Sequence, residues 1–521
     1  MHLKVLAPAP CLPALLRRGG TDFEVLLACD GNGDDAIESW SDELALADVS
    51  DSSRTPLQRR SITHIELRDV PSTARDAAVL AIRARLSLVR LELQAPQLAE
   101  PASGRSRVFH LVRNDDIIRS RCVAQWRPHA SRLRIAFASD LHVAAIWDDI
   151  WGTLDKFAPD LAPRLLHPNR LFGQLIADLS AAAARGELDV LVLGGDLIDY
   201  IYRQQGKPET NAPLLLDRLA SLPVPVYAIA GNHDYRLYPW RPRIYPFSTA
   251  GIPQHRARDA MRRAGLWDPW PMNPFDLDAV RTPAGDAIAG LEHHATAFAP
   301  SGDYTVDLDE LRLIFLSTGR DILPRWRGVE RGRAGMLLRS IPISYEHPDC
   351  EGFSEAQIAD LQASLAGCRN AALFHHAPLF NPLPGTTLAP RLDRLDPGDD
   401  DSLPARIRFE RTLFRSGHRH GVFFRNPAPF VRTLASFEGG LTSFSGHVHG
   451  THAIELDPKT LRARSVSIDR AHANGVQALL TAPALGQTAT RNGEPPGYLV
   501  GQFEGGRLVS AERRGLGEPT A

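Results

Sequence analysis

The stretch DVLVLGGDLIDY, residues 189–200, decides how this chain folds. Val190 to Leu193 form an apolar, branched run with no polar side to turn toward water. Such a run reads as a strand covered on both faces. Small residues and then two carboxylates, Asp196 and Asp199, follow directly. A buried strand that opens into a polar loop belongs in a sheet whose strand ends carry the chemistry.

The same pattern recurs five times. RLRIAFA (132–138), VPVYAIAG (224–231), LRLIFLS (311–317), AALFHH (371–376) and LTSFSGH (441–447) are apolar runs that end in small or polar residues. Helical segments lie between some of them. RLFGQLIADLSAAAARG (170–186) has apolar residues spaced by three and four. SEAQIADLQASLAG (354–367) starts with Ser354 and Gln357 at capping-box spacing and ends on glycine. Strands alternating with helices predict an α/β core from residue 131 to the end. No internal repeat is evident.

Residues 1–130 read differently. FEVLLAC (23–29), HIELRDV (64–70) and VRLELQ (89–94) are short apolar runs among turn-rich segments, with one helical stretch, ARDAAVLAIRARLS (74–87). This predicts a mostly-β, sandwich-like N-terminal domain. From Asp30 to Asp51 there are eight acids and no Lys or Arg. DGNGDD at 30–35 imitates the opening of a calcium loop, but Asp35 and Ser41 stand where the loop needs Gly and Glu, so a solvated acidic loop is expected.

Composition sets the outer bounds. The 521 residues are long enough for two to four domains, and 43% hydrophobic with 23% charged residues is ordinary for a globular protein. A net charge of −2 gives no general field toward nucleic acid or membrane. Five scattered cysteines without a CxxC argue against a disulfide framework or a zinc ribbon. The first twenty residues lack a secretory apolar region, and no apolar run is long enough to span a bilayer. The expectation is a cytoplasmic protein without a membrane span.

Five strand ends carry metal-binding side chains. SDLHV supplies Asp140 and His142, GGDLIDY supplies Asp196 and Asp199, and GNHDY supplies Asn232, His233 and Asp234. HHAP supplies His375 and His376, and GHVHG supplies His447 and His449. D-x-H or GDxxD alone is a common turn. Five such motifs in order, each behind its own strand, are not explained by packing. Oxygen donors mixed with imidazoles suit Mn, Fe or Zn, and seven candidate ligands suit two ions sharing a carboxylate better than one tetrahedral ion.

This ordered set, D-x-H, G-D-x-x-D, G-N-H-D, H and G-H-x-H, resembles the calcineurin-like metallophosphoesterase superfamily over roughly residues 131–510. The resemblance implies a four-layer α/β/β/α sandwich, two divalent or transition metal ions, and hydrolysis of phosphate esters. It assigns Asp140, His142, Asp196 and His449 to one ion and Asp196, Asn232, His375 and His447 to the other, with Asp196 bridging. His375 is chosen over His376 because the family ligand directly follows the strand. His233, outside this ligand set but next to Asn232, becomes the general acid for the leaving alkoxide. Asp199 becomes the carboxylate that orients it.

Departures from the family's branches narrow the substrate. Protein Ser/Thr phosphatases continue G-D-x-V-D-R-G and G-N-H-E, where this chain has Tyr200 and Asp234. Purple acid phosphatases place a tyrosine ligand where this chain has Asp199. The general set resembles cyclic-nucleotide and other small phosphodiesterases, as well as the nuclease branch, and that resemblance makes a small-molecule or nucleotide phosphodiester the expected substrate. A phosphomonoester, a nucleic acid or a non-catalytic metal-binding scaffold are the alternatives. Near-neutral charge argues against nucleic acid, and the complete ligand set argues against the scaffold. Insertions at about 235–304 and 380–440 are arginine-rich, and arginine forks bind phosphate, so a basic lid and an ordinary solvated surface are both open there.

Overall fold

The computed structural model describes residues 2–17, 20–31, 33–99, 106–126, 132–160, 166–201, 211–235, 263, 290, 292–318, 352–379, 427–459, 463–486 and 494–516. Most of both arginine-rich insertions lies outside the described residues, so their reading as a lid does too.

The N-terminal region holds two sheets. Strands Leu3–Ala7, Asp22–Cys29, Ser87–Gln94 and Gln58–Ile65 pair in that order, all antiparallel. A second sheet runs Ala14–Leu16, Asp116–Gln125, Arg107–Arg113, Leu44–Asp48 and Arg54–Pro56. Alternate residues of the two sheets share one core. Val25, Leu27, Leu91 and Leu93 of the first meet Leu46, Phe109, Leu111 and Val123 of the second. Helix Arg75–Arg83 lays Ala77, Ala78 and Ala81 on the outer face of the first sheet. Asp34 and Asp35, in the acidic run, form the first turn of a helix, Asp34–Ser41, where acids favour the helix dipole.

The buried runs form two larger sheets. One places Val226–Ile229, Val190–Gly194 and Arg132–Ala138 side by side in parallel, followed by the antiparallel pair Gly497–Glu504 and Arg507–Gly515. The other has Leu311–Phe315, Asn370–Phe374, Gly440–Ser445 and Gln477–Thr481 in parallel, with antiparallel strands outside them. Phe137, Val192 and Tyr227 from one sheet and Phe315, Phe374 and Phe444 from the other fill a common core. Phe374 stacks on Phe315 and on Phe444 with ring centroids 5.0 and 5.2 Å apart. The opposite faces are covered by helices. Pro168–Ala184 and Asn211–Leu219 cover the first sheet, and Glu355–Leu365 and Pro427–Ser436 the second. The capping box read from Ser354 and Gln357 is present. Among the described residues no helix is long and apolar enough to cross a membrane.

The N-terminal region also reaches into this core. The Cys11 backbone accepts from Ala228 N and donates to Phe298 O, at 3.1 and 3.0 Å. That contact covers the outer side of the Val226–Ile229 strand. The fully buried Arg121 guanidinium donates to the carbonyls of Leu222 and Val224, which lead into the same strand. Trp126 Nε1 donates to Asp309 Oδ2 at 3.0 Å.

Candidate metal centre

The carboxyl ends of five parallel strands, three from one sheet and two from the other, open toward one place. The loops after Ala138 and Gly194 run side by side, joined by Asp140 N to Gly195 O at 3.0 Å, His142 N to Asp196 O at 3.0 Å and Val143 N to Leu197 O at 3.1 Å. Asp140 Oδ2 accepts from the backbone of His447, at 2.9 Å, and so ties the first sheet's loop to the second's. Asp196 Oδ1 accepts from His233 N at 2.7 Å.

Backbone conformation aims the donors. Asp140, His142, Asp196, His447 and His449 all lie in the left-handed region, with φ between 49° and 67°. This conformation costs about 1–2 kcal/mol for an L-residue, and Asp and His tolerate it better than most. Strain of this kind gathers where the surrounding structure fixes a functional geometry. Gly446 makes room for it, because a Cβ there would stand 2.7 Å from Asp140 Oδ2.

Three groups of donors result among the described residues, and one of them, His142, Asp199 and His233, shares His142 with the first of the other two. Ligand atoms of Asp140, His142 and His449 lie within 4.8 Å of one another, and so do those of Asp196, His376 and His447. Asp196 Oδ2 also approaches His142 Nε2 at 3.8 Å, which puts Asp196 between the groups. Asn232 joins the second group through its Oδ1, 3.2 Å from His376 Nε2. The site is buried, with Asp140 and His142 at 0% exposure. Burial alone would raise the Asp196 carboxyl, but the imidazoles of His376, His233 and His142 hold it well below the usual carboxylate range. Asp140 is likewise held down, against its burial, by His449 and His376.

The structure brings His376 into this cluster, where the sequence reading chose His375. Side chains alternate along the strand Asn370–Phe374. Phe374 faces the core between the sheets, so His375 faces the helices, edge-on to Phe353 and Phe430. A carbonyl can only accept, so His375 Nδ1–H donates to Ala377 O at 2.7 Å, and Nε2 accepts from Ser443 Oγ at 2.6 Å. Both nitrogens of a neutral ring are then engaged, and burial pushes its pKa down to about 4. His376 turns back toward the site. Its Nδ1–H donates to Gly194 O at 2.8 Å, which leaves Nε2 facing Asp196 Oδ1 at 3.4 Å and His447 Nδ1 at 3.1 Å. A ring nitrogen fixed on a backbone carbonyl, with the other turned toward carboxylate and imidazole, is the usual posture of a metal-binding histidine. Burial opposes the charged ring, but Asp196 and Asp140 push the His376 pKa up to about 10.

Behind the two groups stands a dyad. His233 Nδ1 lies 2.7 Å from Asp199 Oδ1, and its Nε2 lies 3.9 Å from Asp196 Oδ2. His142 Nδ1 approaches the same Asp199 oxygen at 3.5 Å. Asp234 turns away. Its carboxylate accepts from Leu197 N, Ile198 N and Gly231 N at 2.9, 3.1 and 2.8 Å. It braces the turns on which Asp196 and Asn232 sit, and burial, with Asp196 nearby, raises its pKa to about 7. The donors fit a pair of cations: carboxylate between them, imidazoles on either side, an amide on one.

Residues 133–322 match the family model described as calcineurin-like phosphoesterase. No curated protein matches the chain. Among solved structures, a purple acid phosphatase from yellow lupin (Lupinus luteus) seeds is 11% identical, with 95% of this chain and 72% of that one covered and a TM-score of 0.39. A dimetal phosphatase from Danio rerio is 13% identical, with 74% and 96% covered and a TM-score of 0.38.

Proposed function

With residues 133–322 belonging to the calcineurin-like phosphoesterase family, and the chain so placed among metal-dependent phosphoester hydrolases, we propose that it cleaves phosphodiesters of small molecules or nucleotides. The observation that carries the reading is the meeting of two donor groups with the His233–Asp199 dyad at the strand ends. Asp140, His142, Asp196 and His449 would hold one ion. Asp196, Asn232, His376 and His447 would hold the other. Bound there, the ions would supply Lewis acidity toward phosphate oxygens and a water made acidic enough to attack near neutral pH.

The chain's own residues do the rest. Asp199 accepts from His233 Nδ1–H and so fixes the ring's tautomer and orientation. His233 Nε2, which faces the donor groups, is then placed to give its proton to the leaving alkoxide. Asp196, between the groups, orients His233 a second time through the backbone bond to its N–H. The preference for diesters rests on the resemblance of the motif set to small phosphodiesterases, while Tyr200, Asp199 and Asp234 argue against the protein-phosphatase and purple-phosphatase branches.

The test loads purified protein with Mn²⁺ and compares initial rates on chromogenic phosphate diesters and monoesters, with and without a chelator. Faster diester cleavage abolished by the chelator is expected. A monoester preference would overturn the substrate class. No turnover of either ester, in protein carrying two metal ions, would overturn the broad hydrolase.

A further inference from the structure

We propose that Asn211 is a positioning residue for the acid step, acting on His233 through the Asp199 loop. The inference rests on the acid role proposed above. The loops that carry His142 and Asp199 are zipped by backbone bonds that include Asp199 N to Val143 O, at 3.2 Å. Two buried amide side chains add to them, Asn169 and Asn211, exposed to 0% and 1%. Asn169 engages both backbone groups of Ala144, with Oδ1 accepting from Ala144 N at 3.1 Å and Nδ2 donating to Ala144 O at 2.9 Å, and Nδ2 also donates to Asp148 Oδ2 at 2.9 Å. Asn211 joins the two loops. Its Oδ1 accepts from Ala145 N at 2.9 Å, and its Nδ2 donates to Tyr200 O at 2.6 Å.

Asp199 therefore lies between the Val143 rung and the Asn211 tie. Its carboxylate meets His233 Nδ1 at 2.7 Å, a contact that depends on where the Asp199–Tyr200 peptide lies. The ligand carboxylates Asp140 and Asp196 lie on the other side of the ladder, where their own backbone bonds hold them. Loss of Asn211 would loosen Asp199 in its contacts with His233 Nδ1 and His142 Nδ1, while Asp140 and Asp196 keep their own backbone bonds. Buried polar pairs of this kind are costly to leave half-made, which fits a role for Asn211 beyond starting the helix Asn211–Leu219.

The test uses the full chain loaded with Mn²⁺ and compares Asn211→Ala, Asn211→Asp and His233→Ala. Three things are measured: metal bound per chain, turnover of a 4-nitrophenyl ester, and turnover of the matching phenyl ester. Phenolate is the poorer leaving group and needs the acid more. Asn211→Ala is expected to keep both metals, to leave the nitrophenyl rate nearly unchanged, and to slow the phenyl ester by about 10- to 100-fold, the scale of a small misplacement. Asn211→Asp still accepts from Ala145 N but turns a second acceptor toward Tyr200 O, so it should show the same selective loss. Equal losses on both esters, loss of metal, or no loss would overturn the proposal while a selective His233→Ala defect left the acid role standing. A His233→Ala variant without leaving-group selectivity would remove both.

Discussion

Replacing the neighbouring histidines 375 and 376 one at a time separates a structural ring from a metal-facing one. His375→Ala removes hydrogen bonds to Ala377 O and Ser443 Oγ and empties space between Phe353 and Phe430. The expected cost near neutral pH is about 2–4 kcal/mol of stability, with both metals retained. Acid should then narrow the difference. An unfolded histidine takes its proton as pH falls through 6.5, while folded His375 resists until about 4. Its contribution is thus full above 6.5 and lost as pH falls toward 4, and the gap is worth about 3 kcal/mol. Urea unfolding of metal-free protein, near neutrality and at the acid end of that window, reads both quantities. His376→Ala should instead weaken binding of the second metal by at least about 100-fold, since even residues behind a ligand cost 10- to 100-fold. A His375→Ala protein that loses a metal, beside a His376→Ala protein that keeps two, would refute the assignment.

Three further outcomes follow from the same geometry. His233→Ala should retain two metals, measured by elemental analysis, and lose about 10²–10⁴ in turnover of esters with poor leaving groups; unchanged turnover would remove it as the acid. Gly446→Ala puts a Cβ against Ser139 Oγ and 2.7 Å from Asp140 Oδ2, so the Ser139–Asp140 turn or the loop at 446 must shift, and turnover should fall by about 100-fold with weaker metal binding in a calorimetric titration. Arg121→Met withdraws the donor from Leu222 O and Val224 O and should lower unfolding free energy by about 2–3 kcal/mol in urea; an equally stable variant would show that the buried guanidinium does not hold the two parts together.

Strand ends were legible because a run such as Val190–Leu193 reads as a strand when both faces are apolar, and because five such runs in order each end in Asp, Asn or His. Between His375 and His376 the sequence favoured His375, whereas His376 joins the donor group, since the choice depends on where the strand stops and which face the next residue takes. Strict alternation from Phe374, a core residue, sends His375 to the helix side, a parity argument available once Phe374 is placed inside. Asn211 left no trace in the sequence. It stands eleven residues after Tyr200 and fifteen after Asp196, in a stretch without a motif, and its role exists only where two loops meet. The left-handed backbone at five donor residues was equally silent, because Asp and His enter that conformation without the glycine that would advertise it.

The reach of Arg121 into the larger core has a consequence for biosynthesis. The guanidinium and the Leu222 carbonyl it serves are 101 residues apart. A ribosome adding about 5–20 residues per second exposes the N-terminal sheets for several seconds before their acceptor emerges. Cys11 waits in the same way for Ala228 and Phe298. During that interval the N-terminal sheets carry an unmet cation and an open seam, and chaperone engagement should concentrate there until the Val226–Ile229 strand arrives to close it.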